Sequence, residues 1–284
     1  MKAAGTLAAP APRQDTGGTA PGRARPRPLA RRASTTAAAL VVPVLLLTVW
    51  EIYPAVAEVD PTVVPRPSLV LSQLWEFRDL AWDHARQTAA ETVIGFSCSL
   101  VVAAVVAALM DRLLWLRRGL YPLLVASQTV PIIAIAPLMI IWFGFGLMPK
   151  VLIVILVTFF PIVVSLLDGF ASTDQEGMRL LRTMGASSRQ IFFMVRVPTA
   201  LPHFFTGVRI AITYAVTAAI VAEYVGAEKG LGIWMMMSKS AFQTDLVFAA
   251  ILITALMSTL LFLLVGLVAR LVMPWYYAQR SARR

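Results

Sequence analysis

A chain of 284 residues that is 58% hydrophobic and only 14% charged is too apolar for an ordinary soluble domain, where about half the residues are apolar and a quarter charged. Its length suits one membrane domain of about six helices at roughly 20 residues each plus loops. The formal net charge of +10 points at first to nucleic acid, but the distribution of the charges along the chain assigns it to membrane orientation instead.

Residues 1–34 are rich in Ala, Pro, Gly and Arg without periodicity and read as a disordered basic tail. Its arginines (Arg23, Arg25, Arg27, Arg31, Arg32) anchor topology or meet anionic headgroups. Thr35–Tyr53 is the first apolar run. Arg31-Arg32 before it and Ala55-Val56-Ala57 after it also have the form of a cleavable twin-arginine signal, but the charge pattern needs no cleavage and the run is read as a span. After a stiff Val64–Ser68 piece, Ser68 is placed to cap an amphipathic helix through Leu71, Leu74, Trp75 and Phe77. Trp75 and Trp82 suit the membrane interface.

Thr92–Met110 is the second span, and Leu120–Phe143 the third, interrupted by Pro131 and Pro137. Val151–Leu167, with Pro161, is the fourth and Phe204–Tyr224 the fifth. Gly226–Asp245 reads as a polar, Gly-rich turn, and Leu246–Met273 is the sixth span, followed by a basic tail, 276–284. With both ends cytoplasmic, the inside segments hold most of the Lys and Arg, among them Arg112, Arg117, Arg118, Arg179, Arg182, Arg189 and Arg196. That asymmetry is the positive-inside pattern of an all-α, six-span polytopic protein.

Residues 173–202 form the most heavily punctuated stretch. Thr173 with Glu176, and Ser187 with Gln190, have capping-box spacing. Gly185 suits the left-handed end of a helix, and Pro198 closes the second piece. Two short helices with a sharp bend at Gly185-Ala186 follow, striped by Met178, Leu181 and Met184 on one and Ile191, Phe192 and Val195 on the other.

Gly185-Ala186-Ser187, Val195-x-Val197-Pro198 and Ala200-Leu201-Pro202 resemble the cytoplasmic loop of bacterial ABC-importer permeases, although Arg179-Leu180-Leu181 stand where that family has Glu-Ala-Ala. The resemblance covers about residues 60–275. Ser127-Gln128-Thr129-Val130-Pro131, Trp142-Phe143-Gly144, Glu223-Tyr224-Val225-Gly226-Ala227 and Gly230-Leu231-Gly232 are similar to the nitrate/sulfonate/taurine branch. Within it, Phe159-Phe160-Pro161 and Leu167-Asp168-Gly169 look most like permeases for thiamine-precursor pyrimidines or riboflavin.

The resemblance implies a permease domain over 35–275 in the bacterial plasma membrane, moving a small solute delivered by an external binding protein. It implies a second permease copy in a homodimer, and ABC ATPase subunits docked on Met178, Leu181, Met184, Gly185, Ala186, Ser187, Ile191 and Pro198 of a coupling-helix loop. The chain has no G-x-x-x-x-G-K-[ST] and no catalytic or metal constellation, so no enzyme activity or cofactor is expected of it. ATP and Mg belong to the partner ATPase. Cys98 is the one cysteine, and His84 and His203 lie far apart.

Polar groups inside spans tend to face a pathway or a partner. Ser127, Gln128, Thr129 and Pro131 of the third span, with Tyr214, Thr217 and Glu223 of the fifth, are the pathway candidates; Thr213 lies beside them. An ion-coupled carrier is the rival class, with Glu223 as its one coupling carboxylate. The importer reading expects no proton-gradient dependence of uptake that Glu223→Gln could abolish; loss of such dependence in that variant would favour the carrier.

Overall fold

The computed structural model describes residues 28–282, and every regular element among them is helical. Residues 1–27, most of the expected tail, lie outside the described residues. The chain divides into two units, one ending at Val49 and one beginning at Trp50, and apart from α1 the features below belong to the second. In chain order the helices are α1 (Pro28–Val56), α2 (Pro67–Glu76), α3 (Arg78–Arg112), α4 (Leu114–Ser127), α5 (Ile132–Phe143) and α6 (Leu147–Ala171). They continue with α7 (Gln175–Thr183), α8 (Ser188–Ile191), α9 (Val197–Gly226), α10 (Leu231–Ser240), α11 (Thr244–Val272) and α12 (Pro274–Ala282).

Among the described residues, α3, α6, α11 and the continuous helix Ser188–Gly226 are long and apolar enough to cross a membrane. The expected third span is two helices, α4 and α5, bent by 105° at residues 128–131. Val41–Val56 is a shorter apolar helix. Several expectations are corrected. Pro28–Ser34 are helical rather than tail, and Pro274–Ala282 form α12, whose Tyr277 hydroxyl receives a hydrogen bond from Arg209 of α9 at 3.2 Å. The Gly-rich turn contains a full helix, α10. Ser68 does not cap α2; Arg66 holds that position, and Ser68 donates through its backbone N–H (3.0 Å) and hydroxyl (2.6 Å) to the Glu51 carboxylate.

The core is built on α6, which packs against both α3 and α9. Lipid tails are as apolar as leucine, so helices in a bilayer associate through close packing and polar bonds rather than through exclusion from water. Small residues provide that closeness here. A Cβ on Gly95 would sit 2.7 Å from Val154 Cβ, and one on Gly169 would sit 2.9 Å from Ala200 Cα. A Cβ on Gly207 would meet Ser165 Cβ at 2.6 Å and the Pro161 carbonyl oxygen at 2.7 Å. Alanines 211, 215, 218, 219 and 222 continue the buried face of α9.

A polar bond ties the end of this bundle that carries α7 and α8. Arg196 donates to both oxygens of Asp111 at 2.6 and 2.7 Å, and its guanidinium stacks 5.6 Å from the Phe170 ring. Bidentate pairing fixes orientation as well as distance. The Asp111 side chain is only 7% exposed and that of Arg196 22%, which limits solvent screening.

The packing account predicts a contrast between two glycines. Gly207→Leu should destabilise the detergent-solubilised protein by about 1–3 kcal/mol or more, because part of what it meets is backbone. A Cβ on Gly119 would meet nothing within 4 Å, so Gly119→Leu should leave the melting temperature unchanged or slightly raised. Equal losses at both positions would contradict the seam.

Candidate functional site

The loop of residues 173–202 bends at Gly185, whose φ of +88° is a conformation that a Cβ disfavours. α7 ends there, with the Ala186 N–H bonded back to Leu181 O at 3.0 Å. Ser187 and Gln190 form the expected capping box on α8. The first cap differs from expectation. Asp174, not Thr173, caps α7, its side chain accepting from the Glu176 N–H at 3.0 Å, while Thr173 is buried.

Pro198 does not close the second piece either. Residues 192–196 form a π turn in which the Val197 N–H reaches Phe192 O, and Pro198 lies in the first turn of α9, where a missing N–H is tolerated. The helix therefore runs without a break from Ser188 to Gly226.

Of the expected docking residues, Met184, Gly185 and Ser187 are exposed, and Leu181, Ala186 and Pro198 are half-buried. Met178 and Ile191 are buried within the chain and have no surface to offer a partner, which corrects their assignment. The apolar surface is instead made by Leu180, Met184, Phe193 and Met194, with Met184 and Met194 about three-quarters exposed. Leu180 and Met184 are four residues apart and so share a helix face, a signal obscured in the sequence by the neighbouring stripe.

At the break between α4 and α5 lies a cavity of about 330 Å³. Ser127, Gln128, Pro131, Tyr214 and Thr217 all line it, so five of the seven expected pathway residues converge although they come from two stretches far apart in the sequence. Its remaining wall is aliphatic, and none of its lining residues is charged. Proline has no N–H, so Pro131 and Pro161 deny the carbonyls of Ser127 and Val157 their usual donor four residues on. Both of those residues line the cavity. Thr129 does not line it, its exposed hydroxyl donating to Ala126 O.

Glu223 does not line it either. It is fully buried, and its carboxylate accepts from the Thr88 hydroxyl and the Gly232 N–H, both at 2.6 Å. Sequence reasoning missed its surroundings altogether. His84 Nδ1 accepts from the Gly230 N–H at 3.0 Å, Thr88 Oγ1 accepts from the Leu231 N–H at 2.8 Å, and Lys150 Nζ contacts Glu91 at 2.5 Å. No three His, Cys, Asp or Glu residues among those described are grouped to hold a metal ion.

The model of the family described as binding-protein-dependent transport system inner membrane component matches residues 100–274, more than half of the chain. The chain belongs to that family. It is 38% identical over 232 residues to the formylaminopyrimidine transport permease protein ThiX of Halalkalibacterium halodurans, covering 81% of this chain and 92% of that one. It is 34% identical to the riboflavin transport system permease protein RibX of Chloroflexus aurantiacus, covering 81% and 87%. It is 30% identical to the taurine transport system permease protein TauC of Escherichia coli, covering 88% and 92%. The crystal structure of an amino acid ABC transporter with histidines shares the fold, with a TM-score of 0.55 at 14% identity over 70% of this chain and 95% of that one.

This permease is thus a multi-pass component of the bacterial inner membrane, and family membership implies an ATPase and a binding protein as its partners. Gly185→Val should leave the permease inserted but uncoupled, because a β-branched residue resists the left-handed bend. The check is ATP-dependent uptake in vesicles alongside the amount of protein in the membrane. Normal uptake would count against it.

Proposed function

We propose that this permease is the membrane subunit of an ABC importer whose cargo is a neutral, ring-sized heterocycle of the thiamine-precursor pyrimidine class. Six spans with both termini cytoplasmic carry it, in a homodimer. ATP and Mg are held by ATPase subunits docked on the surface of Leu180, Met184, Gly185, Phe193 and Met194, and an external binding protein delivers the solute. Charged residues around that surface (Arg179, Arg182, Arg189) steer docking more than they add affinity.

The cavity carries the substrate reading. Its lining includes the hydroxyl-bearing Ser127, Tyr214 and Thr217 and the amide of Gln128, with no cationic side chain. That inventory is rich in acceptors and suits the amino and ring N–H groups of a pyrimidine. A sulfonate or nitrate would arrive with a full negative charge, and burying it without a partner is costly. The C-terminal end of α4 and the N-terminal end of α5 meet at the break, so their dipole ends offset and give it no net sign. A volume of about 330 Å³ is at the small end of ligand sites, which run from about 300 to 1,000 Å³. That favours a single ring over the tricyclic riboflavin.

The sulfonate, taurine and nitrate group is the second reading, favoured by the likeness to TauC. Purification in mild detergent, followed by reconstitution with the co-purifying ATPase and its binding protein, separates the two. The expected result is ATP-dependent uptake of an aminopyrimidine, with riboflavin weaker and taurine excluded. Gln128→Ala and Thr217→Val should each lower uptake by about tenfold, the order of one lost buried hydrogen bond. Uptake of taurine in preference would overturn the cargo reading, and recovery of an active chain without an ATPase would overturn the importer.

A further inference from the structure

At the opposite end of α9 from the docking loop, three side chains grip the start of α10. The free N–H groups of that helix start are taken one after another: Gly230 by His84, Leu231 by Thr88 and Gly232 by Glu223. Thr88 closes the set by donating to Glu223, and the His84 ring stacks on Trp234 of α10 with centroids 5.8 Å apart and planes 5° from parallel. A carboxylate at a helix N-terminus opposes the partial positive charge there. The clamp is also fitted sterically. A Cβ on Gly232 would lie 2.5 Å from Ile220 O and 2.8 Å from Glu223 Cβ, and one on Gly230 would collide with the Glu223 carboxyl group. Glu91, one turn along α3 from Thr88, is paired with Lys150 of α6, which neutralises the second buried carboxylate nearby. Nearer solvent, Asp83 pairs with Lys229 at 2.7 Å and with Arg86 at 3.6 Å, and Glu228 adjoins Lys229 in the chain.

The gripped helix does not line the cavity but is joined to its wall through α9. Ala218 and Val221 of α9 line the cavity, and Glu223 is two residues beyond Val221. At 1.5 Å per residue, the helix from Ser188 to Gly226, 39 residues, spans roughly 58 Å from the docking loop to the clamp. Its π turn and Pro198 and Pro202 all lie near the loop end, leaving the stretch between the cavity and α10 regular.

We propose that α10 is the outer gate of the permease, and that Glu223, Thr88 and His84 are positioning residues that fix it to the far end of α9. Movement of the docking loop then reaches the gate through one helix. The driving motion rests on the importer reading; the clamp does not.

The test uses the full chain with Cys98→Ser, to remove the exposed native thiol, and Ser238→Cys, which places a thiol on the buried face of α10. A membrane-impermeant maleimide applied to the outside of intact cells, without added ATP, reads whether α10 is seated. Glu223→Ala and Thr88→Val should each raise labelling by about tenfold, the order of one lost buried hydrogen bond. Glu223→Gln keeps an acceptor for the Gly232 N–H and should restore most of the protection. In the assembled complex the two disruptive variants should lose uptake while ATP hydrolysis persists. Should Glu223→Ala fail to insert, Thr88→Val and Gly232→Ala carry the same comparison. Unchanged protection and uptake in the inserted variants would overturn the proposal, as would parallel loss of uptake and hydrolysis without rescue by Gln. Failure of the importer reading would show instead as ATP-independent uptake by the parent protein, with the labelling contrast intact.

Discussion

The seam between α6 and α9 sets the position of everything else in this bundle. In a medium where apolar surface has nothing to gain by leaving the solvent, two helices stay together only if their backbones can come close. Gly169 and Gly207 allow this by leaving out the one atom that would collide across the seam. Once α9 is seated on that face, its other faces are committed. Tyr214, Thr217, Ala218 and Val221 turn toward the broken helix pair, and Glu223 turns toward Thr88 of α3. The Arg196–Asp111 pair then locks α9 to α3 at the opposite end. One helix thereby joins a surface fit for a partner, a solute-sized cavity and a clamped helix.

Much of this was legible because it is local. The Ser187–Gln190 box needs only residues three apart, and the Gly185 bend only a residue without a Cβ. The polar faces of the third and fifth spans were likewise readable as residues that a lipid environment would not accept. What was missed depends on neighbours remote in sequence. Glu223 was visible as an intramembrane carboxylate, but its partner Thr88 is 135 residues away, so a clamp and a pathway residue look alike. α10 was hidden for the same reason, since the glycines that make its start look like a turn are there to admit the Glu223 carboxylate. Met178 and Ile191 lay on apolar stripes whose period was right, but periodicity alone cannot say which stripe faces the bundle and which faces a partner.

The prolines show how such ambiguity resolves when backbone hydrogen bonds are accounted for. In hydrocarbon every carbonyl must find a donor within the protein or from cavity water. Pro198 removes a donor near the water-facing loop, where a π turn widens the helix and absorbs the ring without ending it. Pro131 removes one where the chain bends by 105°, and Pro161 removes one across the same cavity. Pro161 is not explained by the need for a bend, because α6 remains a single helix through it. The common consequence is that Ser127 and Val157, from different helices and each without the usual donor four residues on, line one cavity. A spanning protein tolerates such groups where a neighbouring helix, a Ser or Thr side chain or cavity water can donate to them. The same rule that forces the rest of the chain into unbroken helices therefore accounts for the break at residues 128–131 lying beside a cavity with room for water.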